Sequence, residues 1–438
     1  MLQSRAWVPP GCEQVVQSLA ARFAGQTPER NERDLLAFVA ENREIHEHDC
    51  FNLNPAANVL NPKAEALLAA GIGSRPSLGY PGDKYETGLE GIEKIEVLAA
   101  ELVAEVFAAR FVEIRVPSGQ LANLYAYMAA ARPGDTVFVP STSMAGHASH
   151  QVTGAAGLYG VRPHVMAIDA DRYTVDLDAL RADAQRLRPK VITLGGSLNL
   201  FPHPIADVRA IADGVGAIVL YDAAHVCGLI AGRAWQHPLD EGAHLVTMSA
   251  YKSLAGPACG LVLTNDADIA EKLDRIAYPG MTANFDASKS AALAMTMLDW
   301  QVHGKAYAAE MTRSATALAD ALAARDLPVY ARERGTTRSH QFAIEARAFG
   351  GGQAAARRLR RANLLASGIG LPLPELEGDV NGLRIGTPEI VRWGMTARDM
   401  PTLAGFIADA LDSRLRPEDV APQVAQYRQA FRTLHFVR

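Results

Sequence analysis

Hydrophobic positions change their period along this chain. Between residues 13 and 48 they recur at helical spacing. Val15, Val16, Leu19, Ala20 and Phe23 share one stripe, and Leu35, Leu36, Phe38 and Val39 mark a second helix. The turn-rich stretch Asn52-Leu-Asn-Pro-Ala-Ala-Asn58 follows. Asn61-Pro62 then supplies a cap and a first-turn proline for a further helix. Residues 71–91 show no period and carry Pro76, Pro81, Tyr80 and Tyr85 among many glycines. A loop of that length with two tyrosines is expected to be ordered and functional.

From about residue 92 two periods alternate. Helix 92–109 precedes strand Phe111–Val116, and helix 119–131 precedes strand Thr136–Val139. Strand Lys190–Leu194, helix 204–214 and strand Ala217–Tyr221 follow, then strands His244–Met248 and Gly260–Thr264. This alternation predicts an α/β fold with a mainly parallel sheet covered on both faces. A long helix is expected over 288–325. It leads to a smaller α+β part with strands near 328–331, 341–345 and 382–386, and helices at 351–363, 397–413 and 417–434. The expected division is an N-terminal helical segment over 1–55, a large domain over 56–290 and a small domain with its linking helix over 291–438.

Composition narrows the classes of function. A hydrophobic share of 49% with 21% charged residues is that of a globular chain. Net charge is −5, and the one dense basic run, Arg357-Arg-Leu-Arg-Arg361, has no interleaved aromatics. Nucleic acid and membrane surfaces are therefore not expected partners. Four scattered cysteines without a CxxC point to reduced thiols and a cytoplasmic setting, without a metal site. No signal peptide and no membrane-spanning run is expected.

Candidate chemistry gathers at predicted strand ends, where ligands bind in open parallel sheets. Val246-Thr-Met-Ser-Ala-Tyr-Lys252 reads as an apolar strand ending in hydroxyl residues, with one lysine just beyond. Poor solvation there lowers a lysine's pKa and suits it to a Schiff base with an aldehyde cofactor. Thr247 and Ser249 could serve a phosphate beside it. Ser118-Gly119-Gln120 opens a helix after a strand, either as an anion site or as a serine cap. Asp222 ends another strand, with His225 three residues on. It could hold a proton on a pyridine nitrogen or cap a helix. Ser197 follows a further strand. His147 and His150 stand one helical turn apart, a spacing open to metal binding, to stacking on a flat ring or to a surface role. Arg384 sits inside the apolar strand Gly382–Gly386, where a buried guanidinium needs an anion: a substrate carboxylate or a structural partner. The tract at Ser118-Gly119-Gln120 carries neither GxGxxG nor a P-loop.

The order of these blocks resembles serine hydroxymethyltransferase, a fold-type-I pyridoxal-phosphate family, over roughly residues 50–415. The matching blocks are Gly79-Tyr-Pro-Gly-Asp-Lys-Tyr85, Pro117-Ser-Gly-Gln-Leu-Ala-Asn123, Gly146-His147, Asp222-Ala-Ala-His-Val-Cys-Gly228, Lys252-Ser-Leu-Ala-Gly-Pro257 and Leu383-Arg-Ile-Gly-Thr-Pro388. The resemblance implies that Lys252 forms the Schiff base, His147 stacks on the pyridoxal ring, Asp222 pairs with its nitrogen and His225 lies near its O3′. It implies phosphate contacts from Ser118, Gly119, Gln120 and Ser249, a ring contact from Ser197 and carboxylate binding by Arg384. It also implies a homodimer, in which the loop around Tyr85 enters the partner's site.

The chain departs from that pattern on the substrate side. Leu78 stands where the family has an acid/base glutamate, Pro76 where it has a tyrosine and Glu86 where it has the second of paired tyrosines. Ala56 replaces a substrate-contacting serine, Tyr251 the histidine before the lysine and Ala258 an arginine. Leucine moves no proton, so use of tetrahydrofolate is doubtful. The expected activity makes or breaks the Cα–Cβ bond of a small β-hydroxy amino acid, such as serine, threonine or α-methylserine, without folate. Tyr85, Glu86, Tyr251 and His147 are the candidate proton carriers. Cα–H chemistry (racemisation or transamination) on the same scaffold is the alternative, and a non-catalytic pyridoxal-phosphate binder is a second.

Overall fold

A computed structural model describes residues 2–438, which fall into two units. Up to Cys50 the chain forms helices α1 (Pro10–Phe23) and α2 (Pro28–Arg43), followed by a short π-helical turn. Thr27 caps α2 by accepting from the Arg30 N–H. Phe23 and Phe38 meet edge to face with ring centroids 6.0 Å apart.

The second unit, Phe51–Arg438, holds a seven-stranded sheet. Its strands are β1 (Phe111–Val116), β2 (Thr136–Val139), β3 (Arg162–Val165), β4 (Val191–Gly195), β5 (Ile218–Asp222), β6 (Leu245–Ser249) and β7 (Gly260–Thr264). Their spatial order is β1-β7-β6-β5-β4-β2-β3, and only β7 runs antiparallel to its neighbours. Every residue of β4, β6 and β7 is buried, as expected for strands covered on both faces. The expected strands lie within a residue of these. Strand β3 was not anticipated, because Arg-Pro-His-Val has no clear alternation.

Helix α3 (Glu90–Phe107) turns Ile92, Ala99, Leu102, Val103 and Val106 inward. Helix α4 (Gly119–Ala130) starts from the end of β1 with Ser118 as its cap. Helix α5 (Ala287–Ala323) runs along the molecule to a three-stranded antiparallel sheet: β8 (Gln341–Glu345), β9 (Ser367–Ile369) and β10 (Gly382–Gly386), in the order β8-β10-β9. The strand expected near 328–331 is not one. Val329 makes a single bridge to Ile344, and a turn follows at once. The helices expected over 397–413 and 417–434 are shorter. A 3-10 turn precedes Met400–Leu411, and the last helix ends at Arg428.

One buried polar cluster joins distant parts of this unit. Asp299 of α5 accepts from Arg392 at 3.0 Å and from Asn61 at 3.0 Å, with both charged side chains almost fully buried. Leaving a buried charge without its partner costs about 3–5 kcal/mol. Asp299→Ala is therefore expected to lower Tm by several degrees in thermal denaturation, whereas an exposed pair such as Arg181–Asp178 can be removed with little change.

Candidate active site

The carboxyl ends of β1, β4, β5 and β6 converge on one cavity of about 220 Å³. Ser118, Gly119, Gln120, His147, Ser197, Asp222, His225, Ser249, Tyr251 and Lys252 all line it. Each was singled out from sequence. A larger groove of about 570 Å³ beside edge strand β1 contains none of them.

One wall is the start of α4. Ser118 Oγ accepts from the Leu121 N–H at 3.3 Å, so its hydroxyl is a helix cap and also lines the cavity. Gly119 is required by a close approach, since a Cβ there would lie 1.8 Å from Ser249 Oγ. Free N–H groups of the first turn and the Ser249 hydroxyl thus sit together, a setting suited to an anion. Thr247 does not join them. Its hydroxyl donates to Asn123 Oδ1 at 2.6 Å.

Asp222 is the most heavily supported group in the site. His150 Nε2 donates to its Oδ2 at 2.8 Å, Asn123 Nδ2 donates to the same oxygen at 3.1 Å, and the Ala224 N–H donates to Oδ1 at 3.0 Å. Burial alone would raise its pKa. The hydrogen bond and charge of His150, with the Ala224 N–H and Lys252, instead hold the carboxyl well below the usual carboxylate range. His150 is in turn held by Tyr127, whose hydroxyl lies 2.8 Å from Nδ1. His147 and His150, one helical turn apart, do not act as a pair: His150 holds Asp222 and His147 contacts Ser149. Among the described residues no metal-binding cluster occurs.

His147 reaches the cavity with Nδ1 accepting from the Ser149 N–H (3.1 Å) and lying 2.8 Å from Ser149 Oγ. With Nδ1 accepting, the ring proton of the neutral imidazole sits on Nε2. Burial lowers its pKa, offset in part by Asp222, so it is neutral near pH 7.

Lys252 is 6% exposed, with Nζ 3.1 Å from His225 Nε2. Burial pushes its ammonium down to about 8, against the pull of Asp222. Burial, then the charges of Lys252 and Arg384, drive His225 far below its ordinary value, and its Nδ1 is buried without a partner. Arg384 enters from β10, reaching the Ser197 carbonyl at 2.6 Å. Burial brings its pKa down to about 10.

Tyr85 and Glu86 do not reach this cavity within the chain. Tyr85 is 84% exposed, and Glu86 Oε2 accepts from the Leu78 N–H at 3.2 Å. Their loop is pinned by Lys84, which pairs with Glu96 at 2.6 Å. The sequence pointed to His150 and Thr247 for other roles, and it did not single out the support from Asn123 and Ser367. Asn123 did stand inside a quoted block, but its partner Asp222 is 99 residues away.

These features define the class: an α/β enzyme of fold type I with its site at the sheet's carboxyl edge. A family model described as serine hydroxymethyltransferase matches residues 30–407, and the chain belongs to that family. An alpha-methylserine aldolase of Ralstonia sp is 70% identical over the whole of both chains. One from Variovorax paradoxus is 58% identical over 98% of this chain and 96% of its own. A serine hydroxymethyltransferase of Methanopyrus kandleri is 36% identical over 88% of this chain and 91% of its own.

The residues present fit the pyridoxal phosphate of that family: an anion-binding helix start, a buried carboxylate, an orphaned buried imidazole nitrogen and a desolvated amine face one space. Lysine desolvation has a stability consequence in protein freed of cofactor. A folded-state pKa near 8 against about 10.4 unfolded means that the ammonium form opposes folding below pH 8. That cost fades as pH rises from 8 to 10.4. Cofactor-free Lys252→Met is expected to exceed the wild type by about 3 kcal/mol at pH 7, with the gap closing by pH 10 in urea denaturation.

Proposed function

We propose that the chain is a folate-independent, pyridoxal-phosphate-dependent aldolase that splits α-methylserine into alanine and formaldehyde. The observation that carries this reading is the division within the site. The residues assigned to the cofactor line one cavity, while Leu78, which has no proton to transfer, stands in the loop where the resemblance expects an acid. The alpha-methylserine aldolases at 58% and 70% identity support the substrate.

In the reaction the β-hydroxyl loses its proton, the Cα–Cβ bond breaks, formaldehyde departs and Cα takes up a proton. Bound pyridoxal phosphate supplies the electron sink for the pair left on Cα. Lys252, with a pKa near 8, holds a usable fraction of free amine at neutral pH. Asp222 stays anionic and so favours a proton on the group facing it. Arg384 takes the carboxylate and fixes which Cα bond breaks. His147, neutral with Nδ1 occupied, provides a flat face. Tyr251 lines the cavity yet remains 37% exposed, and we assign it the hydroxyl proton. The substrate has no Cα–H, which argues against racemisation or transamination as its reaction.

The reading includes a cytoplasmic homodimer whose glycine-rich loop carries Tyr85 and Glu86 to the other copy's cavity. The high exposure of Tyr85 supports that placing. Among the described residues no helix is long and apolar enough to cross a membrane.

Incubation with α-methylserine should release formaldehyde and alanine at equal rates with or without tetrahydrofolate. Strict dependence on folate would overturn the reading. Tyr251→Phe is expected to lower kcat by about 10²–10⁴-fold with little change in KM, read from formaldehyde release.

A further inference from the structure

Arg384 is clamped on two sides. Its Nη1 donates to the Ser197 carbonyl at 2.6 Å, while Nε and Nη2 both reach Ser367 Oγ, at 3.3 and 3.0 Å. The serine therefore occupies the side fork of the guanidinium. Its own hydroxyl hydrogen is directed elsewhere, because Ser367 Oγ donates to Asn54 Oδ1 at 3.3 Å. Both oxygen lone pairs are thereby turned to the arginine. Asn54 Oδ1 also accepts from the Ala56 N–H at 3.1 Å, which fixes the acceptor. Ala56 itself offers no side-chain donor, so the loop beside this clamp adds no polar side chain of its own at that point.

We infer that Ser367 is a positioning residue for the substrate carboxylate: it fills the Nε–Nη2 edge of Arg384 and turns the Nη end of the guanidinium toward the ligand. The inference rests on the reading of Arg384 as the carboxylate anchor. A long side chain loses much rotamer freedom when it binds, and a clamp that removes this freedom beforehand raises affinity without touching the ligand. Nothing in the step moves a proton or forms a bond, so the effect belongs to binding. It is specific to ligands that carry a carboxylate.

The test uses holoenzyme and isothermal titration with L-alanine and with L-alaninamide, which lacks the carboxylate. Ser367→Ala is expected to weaken L-alanine binding about tenfold and to leave L-alaninamide within about twofold of wild type. Ser367→Thr, which keeps the hydroxyl, should restore most of the alanine affinity. Asn54→Ala, which releases the hydroxyl hydrogen, should weaken alanine alone by about threefold, and it decides the matter if Ser367→Ala does not fold. Unchanged alanine binding, or an equal loss for both ligands, overturns the inference, as does a wild type that binds the two alike. Failure of folate-independent formaldehyde release would sink the proposed activity but leave this comparison intact.

Discussion

The structure around the site depends on keeping a carboxylate charged where water cannot reach it. Asp222 is 2% exposed, and a buried anion without partners would simply take up a proton. Three donors prevent this, from His150, Asn123 and the Ala224 backbone. Each is itself oriented by a further group. Tyr127 holds His150, and Thr247 holds the Asn123 amide so that its nitrogen faces Asp222. These residues come from β5 and the turn just beyond it, from β6, from α4 and from the turn after β2. A parallel sheet gathers the carboxyl ends of its strands along one edge, and these side chains meet there. The network is fully satisfied at Asp222, which is the condition under which buried polar groups confer a single arrangement.

The same low-dielectric setting explains the cationic side. Lys252 and Arg384 are both depressed by burial, and His225 lies between them, 3.1 Å from one and 3.5 Å from the other. Two cations flanking a neutral imidazole leave one negative group, Asp222, to balance the cavity. Such a site favours ligands that bring further negative charge, as a phosphate and an α-carboxylate do. The groups suited to anions come from two sources. The helix start and Ser249 come from the large sheet, and Arg384 comes from the small antiparallel sheet.

Much of this was legible from the sequence because strands and their ends leave local signals. Lys252, Asp222, Ser118 and Ser197 each follow or finish a run of apolar residues, so their shared edge could be read without coordinates. What held them could not. His150 meets Asp222 across 72 positions, Thr247 meets Asn123 across 124 and Arg384 meets Ser197 across 187. Periodicity carries no information at such separations. Thr247 shows the resulting error: hydroxyl residues at a strand end read alike, yet one faces the cavity and the other braces an amide. Ser367 left no trace because β9 is three residues long and contains a glycine.

The loop around Tyr85 differs in kind. Lys84, Glu96 and Ser77 make short contacts there, and the Tyr85 N–H donates to the Leu78 carbonyl at 3.1 Å. The Tyr85 backbone is thus held while its side chain stands 84% exposed. In the proposed homodimer this ring would find its covering surface on the second copy. The cavity lining holds Tyr251 and one carboxylate, Asp222, whose oxygens already accept from His150, Asn123 and the Ala224 N–H, so a further acid would have to come from outside that lining.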